Sequence, residues 1–158
     1  KAIYAGSFDP VTNGHIDIIK RATDIFGEVT VAVLNNVKKQ GLFTVEERME
    51  LLEEVTKDIE GVTIDSFTGL LADYAKEKDC KVIVRGIRTA SDYESEYILA
   101  MANMHYYKGL ETVFLLSSNK NTFVSSTLAK EVAMFDGDLS LFVPDIVGDA
   151  MKEKLIGR

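Results

Sequence analysis

The chain has 158 residues, 46% of them hydrophobic, which is enough for one well-buried core and short for two domains, so we expect a single domain over residues 1–158. Its net charge of −7 argues against a nucleic-acid partner, because domains that bind nucleic acid usually present a positive surface. It has no run of about 18 apolar residues and opens directly on a predicted strand, so we expect no membrane partner, no signal peptide and a cytoplasmic location. Cys80 is the only cysteine, which excludes an intrachain disulfide and a multi-cysteine metal site.

The N-terminal residues predict a strand that ends abruptly at a loop. The apolar first residues meet Gly6, which tolerates backbone conformations that other residues resist, and Asp9-Pro10 then marks a turn. A helix is predicted from Thr12, a favoured helix-start residue, because apolar residues recur at helical spacing after it. Such a unit directs backbone N–H groups and the positive end of the helix dipole at the space above the sheet. We therefore expect His15 to face that space and to donate to a phosphate oxygen.

The rest of the chain predicts strands that alternate with helices. The strands are predicted at Val29–Leu34, Val62–Phe67, Lys81–Val84 and Thr112–Leu116, with a brief extended stretch at Leu141–Val143. The helices are predicted to begin near Thr44, Leu70, Ser91, Ser125 and Pro144. This alternation predicts an α/β fold of the doubly wound, Rossmann-like kind, with a five-stranded parallel sheet and helices on both faces.

Cations and hydroxyl groups are concentrated at one edge of the predicted sheet. Ser7 and His15 follow the first strand, Lys39 the second, Arg85 and Arg88 the fourth, and Ser125 to Thr127 the fifth. Ligands of open α/β sheets bind at this carboxyl edge, whereas merely solvated side chains would be scattered over the opposite edge too. The pattern therefore predicts a site for a small polyanion.

Neither a Gly-x-x-x-x-Gly-Lys-Ser/Thr loop nor a Gly-x-Gly-x-x-Gly fingerprint is present, so a nucleotide must be held in another way.

The segment Tyr4–His15, Tyr-Ala-Gly-Ser-Phe-Asp-Pro-Val-Thr-Asn-Gly-His, resembles the signature of the nucleotidyltransferases whose motif is His or Thr, any residue, Gly, His. In residue types and spacing it is most similar to the family of phosphopantetheine adenylyltransferases, enzymes of coenzyme A biosynthesis. The resemblance covers nearly the whole chain. It implies reversible transfer of the adenylyl group of ATP to 4′-phosphopantetheine, which gives dephospho-coenzyme A and pyrophosphate. The expected reaction is a direct in-line attack with no covalent intermediate.

The resemblance also implies roles for individual residues. The acceptor phosphate would be held by Ser7, Lys39 and Arg85, with Leu71 and Asn103 along the pantetheine arm. ATP would be held by Ser7, Phe8, His15, Gly86, Ile87, Arg88, Glu96, Asn121, Thr122, Phe123, Val124, Ser125, Ser126 and Thr127. The catalytic residues would be His15 on the α-phosphate, Lys39 between nucleophile and α-phosphate, and Arg88 on the leaving pyrophosphate. Some positions depart from the commoner pattern: Ala5 replaces a frequent proline, Ser7 a threonine, Thr127 a serine, and Ser95 an aromatic residue that can contact ATP.

Further expectations concern cofactors and partners. Mg²⁺ is expected to bind mainly through the ATP phosphates, since it often uses substrate oxygens rather than a protein cage. Assembly into a homohexamer and feedback inhibition by coenzyme A are implied by the resemblance only. Two alternatives stay open: another nucleotidyltransferase of the same superfamily, using CTP or a mononucleotide, and a non-catalytic nucleotide-binding domain.

Overall fold

The computed structural model describes all residues from Lys1 to Arg158. The strands are β1 Ala2–Gly6, β2 Val29–Leu34, β3 Val62–Phe67, β4 Val82–Ile87 and β5 Glu111–Leu116. The α-helices are α1 Asn13–Phe26, α2 Val45–Thr56, α3 Leu71–Glu77, α4 Ala90–Tyr106, α5 Ser126–Met134 and α6 Asp145–Ile156, and a short 3₁₀ turn covers Asn119–Asn121. None of the helices combines the length and the apolar character that a membrane crossing needs.

The five strands form one parallel sheet in the order β3-β2-β1-β4-β5, which confirms the predicted doubly wound α/β fold. From β1 the chain moves outward through β2 to β3, and then returns to the other side of β1 to form β4 and β5. The strand order therefore reverses between β1 and β4. Ligands of open α/β sheets bind at such a switch point.

Each face of the sheet has its own apolar core, because alternate residues of a strand point to opposite faces. On one face Tyr4 and Val84 join a cluster with residues of α1, α2, α5 and α6. On the other face Ile3 and Ile83 pack with residues of α3. α4 contacts α3, β4 and β5, so it covers this second face. Helices thus lie on both faces, as predicted.

The boundary predicted for the fourth strand was wrong. The prediction ended it at Val84, before Arg85 and the flexible Gly86, but β4 continues to Ile87. The parallel pairing of Arg85, Gly86 and Ile87 with β5 satisfies the backbone there, so the glycine does not end the strand. α4 then begins at Ala90, and its N-cap is not the predicted serine but Thr89, whose hydroxyl accepts the Asp92 N–H at 3.2 Å.

The extended stretch predicted at Leu141–Val143 was also wrong. These residues form a turn, in which the N–H groups of Phe142 and Val143 both donate to the carbonyl of Leu139, at 2.9 and 3.0 Å. Phe142 and Val143 are buried in the apolar core on the side of the sheet that α1 covers, so their apolar character reflects packing in a turn and not a strand. An apolar run three residues long does not distinguish a strand from a buried turn.

Candidate active site

Two cavities open at the carboxyl edge of the sheet, beside the switch point. The polar cavity, with a volume of about 320 Å³, is lined by Tyr4, Gly6, Ser7, Phe8, Thr12, Gly14, His15, Ile18, Arg85, Gly86, Arg88, Asp92, Glu96, Ser117, Asn121, Val124, Ser125, Ser126 and Thr127. The apolar cavity, also of about 320 Å³, is lined by Ala5, Gly6, Ser7, Leu34, Phe67, Gly69, Leu70, Leu71, Ile83, Arg85, Glu96, Leu99, Ala100, Asn103 and Thr112. Each is as large as a small-molecule site.

The two cavities share one wall, formed by Gly6, Ser7, Arg85 and Glu96. A ligand in one cavity would therefore end beside a ligand in the other. The wall carries a guanidinium and a hydroxyl, both of which donate well to phosphate oxygens. The arrangement fits two ligands that present phosphate groups to one another.

His15 is oriented by the turn that begins α1. The backbone N–H of Thr12 donates to His15 Nδ1 at 3.0 Å, and the backbone N–H of His15 donates to Thr12 Oγ1 at 3.3 Å. Because Nδ1 accepts a hydrogen bond, the single proton of the neutral ring is on Nε2. The ring packs edge-on against Phe8, with centroids 4.9 Å apart, and Nε2–H remains as the donor that the ring can offer a ligand.

The surroundings of His15 keep the ring neutral. Burial, and then the positive charges of Arg85 and Arg88, lower the pKa of His15 from 6.5 to about 4. The sequence prediction of a phosphate donor is therefore compatible with a neutral imidazole that donates through Nε2, not with an imidazolium ion.

Arg85 and Glu96 form one ion pair in the shared wall. Arg85 Nε and Nη2 donate to Glu96 Oε2 and Oε1 at 2.7 and 2.6 Å, and Nη1 donates to the carbonyl of Ala5. The fork geometry fixes the guanidinium plane. Arg85 was predicted to hold the acceptor and Glu96 to hold ATP, so this ion pair joins residues of two predicted subsites.

Arg88 extends from the end of β4 to the segment before α5. Its Nε lies 3.3 Å from Asp92 Oδ2, and its Nη1 donates to the carbonyl of Val124 at 3.2 Å. The same Asp92 oxygen accepts the Arg88 backbone N–H at 3.0 Å. Arg88 is thereby held in the polar cavity by contacts with α4 and with the segment before α5.

The start of α5 completes the polar cavity. Ser125 is the N-cap, and its hydroxyl accepts the Leu128 N–H at 3.1 Å. Ser126 donates its hydroxyl proton to the carbonyl of Pro10 at 2.8 Å, which ties α5 to the β1–α1 loop. The first N–H groups of a helix have no partner inside it and carry the positive end of its dipole, so this end suits an anion.

Most of the predicted site residues line one of the two cavities, and four do not. Lys39 is exposed in the β2–α2 loop and lines neither cavity. Ile87 is buried, and Thr122 and Phe123 are exposed next to the polar cavity without lining it. The roles of these four residues stay predictions.

Two residues that shape the site were missed as site residues. Thr12 was interpreted only as a helix start, although it orients the His15 ring. Asp92 was not singled out in the sequence, although it holds Arg88. The first position of the His-or-Thr motif was the available signal for Thr12. Nothing in the sequence distinguished Asp92 from other acidic residues of a helix start.

The donor set fits a divalent cation that arrives with a phosphate ligand. No group of three or more His, Cys, Asp and Glu residues in the structure is arranged so that it could hold a metal ion. The two carboxylates of the polar cavity, Asp92 and Glu96, are already paired with Arg88 and Arg85. Mg²⁺ is commonly held by substrate phosphates with few protein ligands. In this site the phosphates of a bound substrate would likewise supply most of its ligands.

The fold and the site define an α/β protein whose two cavities at the switch point are suited to phosphate-bearing ligands. The cytidylyltransferase-like family model matches residues 3–132. The phosphopantetheine adenylyltransferase of Caldanaerobacter subterraneus subsp. tengcongensis is 52% identical, over 97% of this chain and 96% of the relative. The phosphopantetheine adenylyltransferase of Dictyoglomus turgidum is 51% identical, over 98% of this chain and 96% of the relative. The chain therefore belongs to the cytidylyltransferase-like family and, within it, to the phosphopantetheine adenylyltransferases, which are nucleotidyltransferases.

Solved structures show the same fold at low sequence identity. Plasmodium falciparum nicotinic acid mononucleotide adenylyltransferase complexed with NaAD matches with a TM-score of 0.70 and 13% identity, over 99% of this chain and 96% of the other. The same enzyme complexed with APC matches with a TM-score of 0.72 and 12% identity. This likeness supports the architecture alone.

A pH titration followed by NMR tests the state of His15. In the ligand-free protein we expect a midpoint at about pH 4 and a neutral ring protonated at Nε2. The unfolded chain binds a proton here below about pH 6.5 and the folded protein only below about pH 4, so this group lowers the free energy of unfolding as the pH falls through that window. The variant His105→Gln leaves a single histidine signal and secures the assignment, since the chain has two histidines. A midpoint at or above the ordinary value, or an Nδ1–H tautomer, would contradict the orientation described above.

Proposed function

We propose that this protein transfers the adenylyl group of ATP to 4′-phosphopantetheine, which gives dephospho-coenzyme A and pyrophosphate. The observation that carries the proposal is the shared wall, where Arg85 and Ser7 border a polar cavity on one side and an apolar cavity on the other. A triphosphate suits the first cavity. An elongated acceptor with a terminal phosphate and a partly aliphatic arm suits the second.

The acceptor phosphate would lie at the shared wall. Ser7 and Arg85 supply a hydroxyl and the remaining guanidinium N–H groups, and Lys39 would approach from the β2–α2 loop. Leu71 and Asn103, which line the apolar cavity, would border the pantetheine arm. The largely apolar lining favours the flexible, partly aliphatic pantetheine arm over the sugar of a mononucleotide, because each adjacent sugar hydroxyl would need a polar partner there.

The chemical step is an exchange at the α-phosphorus of ATP. An oxygen of the acceptor phosphate forms the new P–O bond, the bond from the α-phosphorus to the bridging oxygen breaks, and pyrophosphate leaves with that electron pair. The second pKa of a phosphate monoester is about 6, so the nucleophile is already ionised near neutral pH. His15 is not needed as a base, and both of its ring nitrogens are committed, Nδ1 to Thr12 and Nε2 to its proton. It donates Nε2–H to the α-phosphate, where charge increases in the transition state.

The triphosphate would be held by the residues that line only the polar cavity. Arg88, Ser126 and Thr127 would face the leaving pyrophosphate. The other proposed ATP contacts are Ser7, Phe8, Gly86, Ile87, Glu96, Asn121, Thr122, Phe123, Val124 and Ser125. Mg²⁺ bound to the phosphates would reduce their repulsion. Positioning and charge neutralisation are then the main contributions of the protein.

Release of pyrophosphate from defined substrate pairs tests the function. We expect release from MgATP with 4′-phosphopantetheine, and little from CTP with a phosphorylated alcohol or from ATP with a mononucleotide. Faster release from either alternative pair would assign another nucleotidyltransferase reaction. Binding of ATP without release from any pair would indicate a non-catalytic nucleotide-binding domain.

Removal of the His15 side chain tests its role in the transition state. We expect His15→Ala to lower kcat by about 100- to 1,000-fold, as for loss of one oxyanion donor, with a much smaller effect on ATP affinity. His105→Ala, at an exposed position on α4, is the matched control and should retain the wild-type kcat. If His15→Ala weakened ATP binding as strongly as it slowed turnover, His15 would be a ground-state ligand.

Removal of Arg85 tests the division between the two substrates. We expect Arg85→Ala to raise the KM for phosphopantetheine by about 10- to 100-fold, the effect of losing hydrogen bonds to a charged group. The unpaired Glu96 would add repulsion to the acceptor phosphate. Steady-state kinetics with each substrate varied in turn, compared with Arg88→Ala, measures this. A loss confined to ATP would show that the two arginines were assigned to the wrong substrates.

Assembly, regulation and location are further parts of the proposal. α4 buries none of its residues and exposes the large apolar side chains Tyr93, Tyr97, Ile98, Leu99, Met101, Met104 and Tyr106. Such an apolar surface supports assembly of the chain, in agreement with the proposed homohexamer. Sedimentation equilibrium tests the hexamer, because a monomeric mass would contradict it. Coenzyme A would act as a feedback inhibitor, and its addition to the pyrophosphate assay tests this. The enzyme would work in the cytoplasm, and fractionation of host cells tests that location.

A further inference from the structure

A group of charges, two of them buried and the third partly exposed, is centred on Asp9 of the β1–α1 loop and takes no part in the reaction described above. We call Asp9, Arg48 and Lys130 the Asp9 cluster. Asp9 and Arg48 are each only 8% exposed. Arg48 Nε lies 3.4 Å from Asp9 Oδ1, and Lys130 Nζ lies 3.3 Å from Asp9 Oδ2. The cluster thus joins the β1–α1 loop to α2 and α5.

The Asp9 carboxylate also fixes one end of the β2–α2 loop, which carries Lys39. The backbone N–H groups of Leu42 and Phe43 donate to Asp9 Oδ2 and Oδ1, both at 2.9 Å. Arg48 Nε in turn donates to the carbonyl of Phe43 at 2.9 Å. Three backbone groups, the N–H of Leu42 and the N–H and carbonyl of Phe43, are therefore bound to one buried ion pair three to four residues after Lys39.

The other end of this loop is fixed separately. The backbone N–H of Asn35 donates to the carbonyl of Phe67 at 2.8 Å, where β2 pairs with β3. Residues 36–40, between the two fixed ends, are exposed. The reach of Lys39 is consequently set by where the ends are held, and the end nearer in sequence is the one at Asp9.

The same cluster contacts the loop that carries Ser7. Arg48 Nη1 donates to the carbonyl of Ser7 at 3.4 Å. Ser7 and Lys39, both proposed to hold the acceptor phosphate, are thus supported by a single buried network.

Gly41 packs directly on the cluster. A Cβ added at Gly41 would lie 2.6 Å from Asp9 Oδ2 and closer still to Arg48 Nη2, so even a methyl group cannot be placed without movement. The loop backbone therefore lies against the ion pair with no intervening side chain. This close approach is independent of the hydrogen bonds.

Stability alone gives little reason for such a cluster. Replacement of a buried ion pair by apolar side chains of similar volume is often neutral or stabilising. Burial raises the pKa of Asp9, but the N–H groups of Phe43 and Leu42 and the charges of Lys130 and Arg48 outweigh this and lower it below the ordinary value. The carboxylate therefore remains ionised at neutral pH, able to hold both loops.

We propose that the Asp9 cluster is a positioning device that sets the approach of Lys39 to the acceptor phosphate, with Asp9 and Gly41 as positioning residues. The proposal rests on the proposed function, because it requires Lys39 to act in the reaction. Lys39 lines neither cavity in the structure, so its action depends on how the loop is directed toward them. A misplacement of about 1 Å at a reacting group can cost on the order of 100-fold in rate.

The test is a double-mutant cycle with Lys39. Asp9→Asn and Gly41→Ala are each made in the wild type and in Lys39→Ala, and kcat/KM for phosphopantetheine is measured together with the Kd of ATP. In the wild type each change should lower kcat/KM by about 10- to 100-fold. In Lys39→Ala the same changes should cost several-fold less than in the wild type, because only the support of Ser7 remains to be lost. The Kd of ATP should remain within about twofold in all variants.

Two further variants keep the test interpretable. Val37→Ala changes a side chain of the same loop that is 77% exposed, and should leave kcat/KM unchanged. Lys130→Met removes one charge of the cluster while it keeps most of the side chain, and replaces Gly41→Ala if that variant does not fold. All assays are run well below the unfolding temperature of each variant.

The outcomes separate this proposal from the function on which it rests. Equal losses in both backgrounds, with Lys39→Ala itself impaired, would show a purely structural cluster and would overturn this proposal alone. A Lys39→Ala enzyme as active as the wild type would overturn both the proposal and the role of Lys39. Failure of the wild type to release pyrophosphate from the proposed pair would overturn the function as well.

Discussion

The crossovers that leave β1 and β4 toward opposite faces of the sheet determine where this protein can hold a ligand. α1 packs on one face and α4 on the other, so the carboxyl ends of these two adjacent strands open into a crevice. Successive residues of β4 point to opposite faces of the sheet, so this strand contributes to both sides of the crevice. A Cβ at Gly86 would lie 3.3 Å from Ile18 of α1, whereas the neighbouring Arg85 binds Glu96 of α4. One strand therefore serves two cavities.

The charges around this crevice act together. The chain as a whole is acidic, with a net charge of −7, yet two arginines are held in the polar cavity by a carboxylate each. These arginines are suited to anions, and they also oppose protonation of His15. In the ligand-free protein the imidazole is consequently neutral at the pH where a phosphate nucleophile is ionised. A neutral donor stabilises growing negative charge without becoming the strongest ligand of the ground state.

Loops at the carboxyl edge depend on buried polar contacts for their positions. Ser126 ties α5 to Pro10, and Asp9 ties the β1–α1 loop to the residues that follow Lys39. These contacts join segments that are far apart in sequence. They lie beyond the strand ends, where strand pairing no longer fixes the position of the backbone. The site is therefore built from rigid strand ends and from loops whose geometry is set by a few hydrogen bonds.

The sequence by itself determined most of the helices and strands, the sheet edge at which the two cavities open and the family, because periodicity, helix-start residues and the Tyr4–His15 motif act over short stretches of chain. It did not reveal that β4 continues through Gly86, since pairing with β5 decided that. Only the tertiary structure decided that Arg85 pairs with Glu96, that Lys130 reaches Asp9 across 121 residues, and that His15 is neutral. Ion pairing and burial depend on distances between elements that are remote in sequence, and these distances exist only once the sheet and its two helical layers have packed.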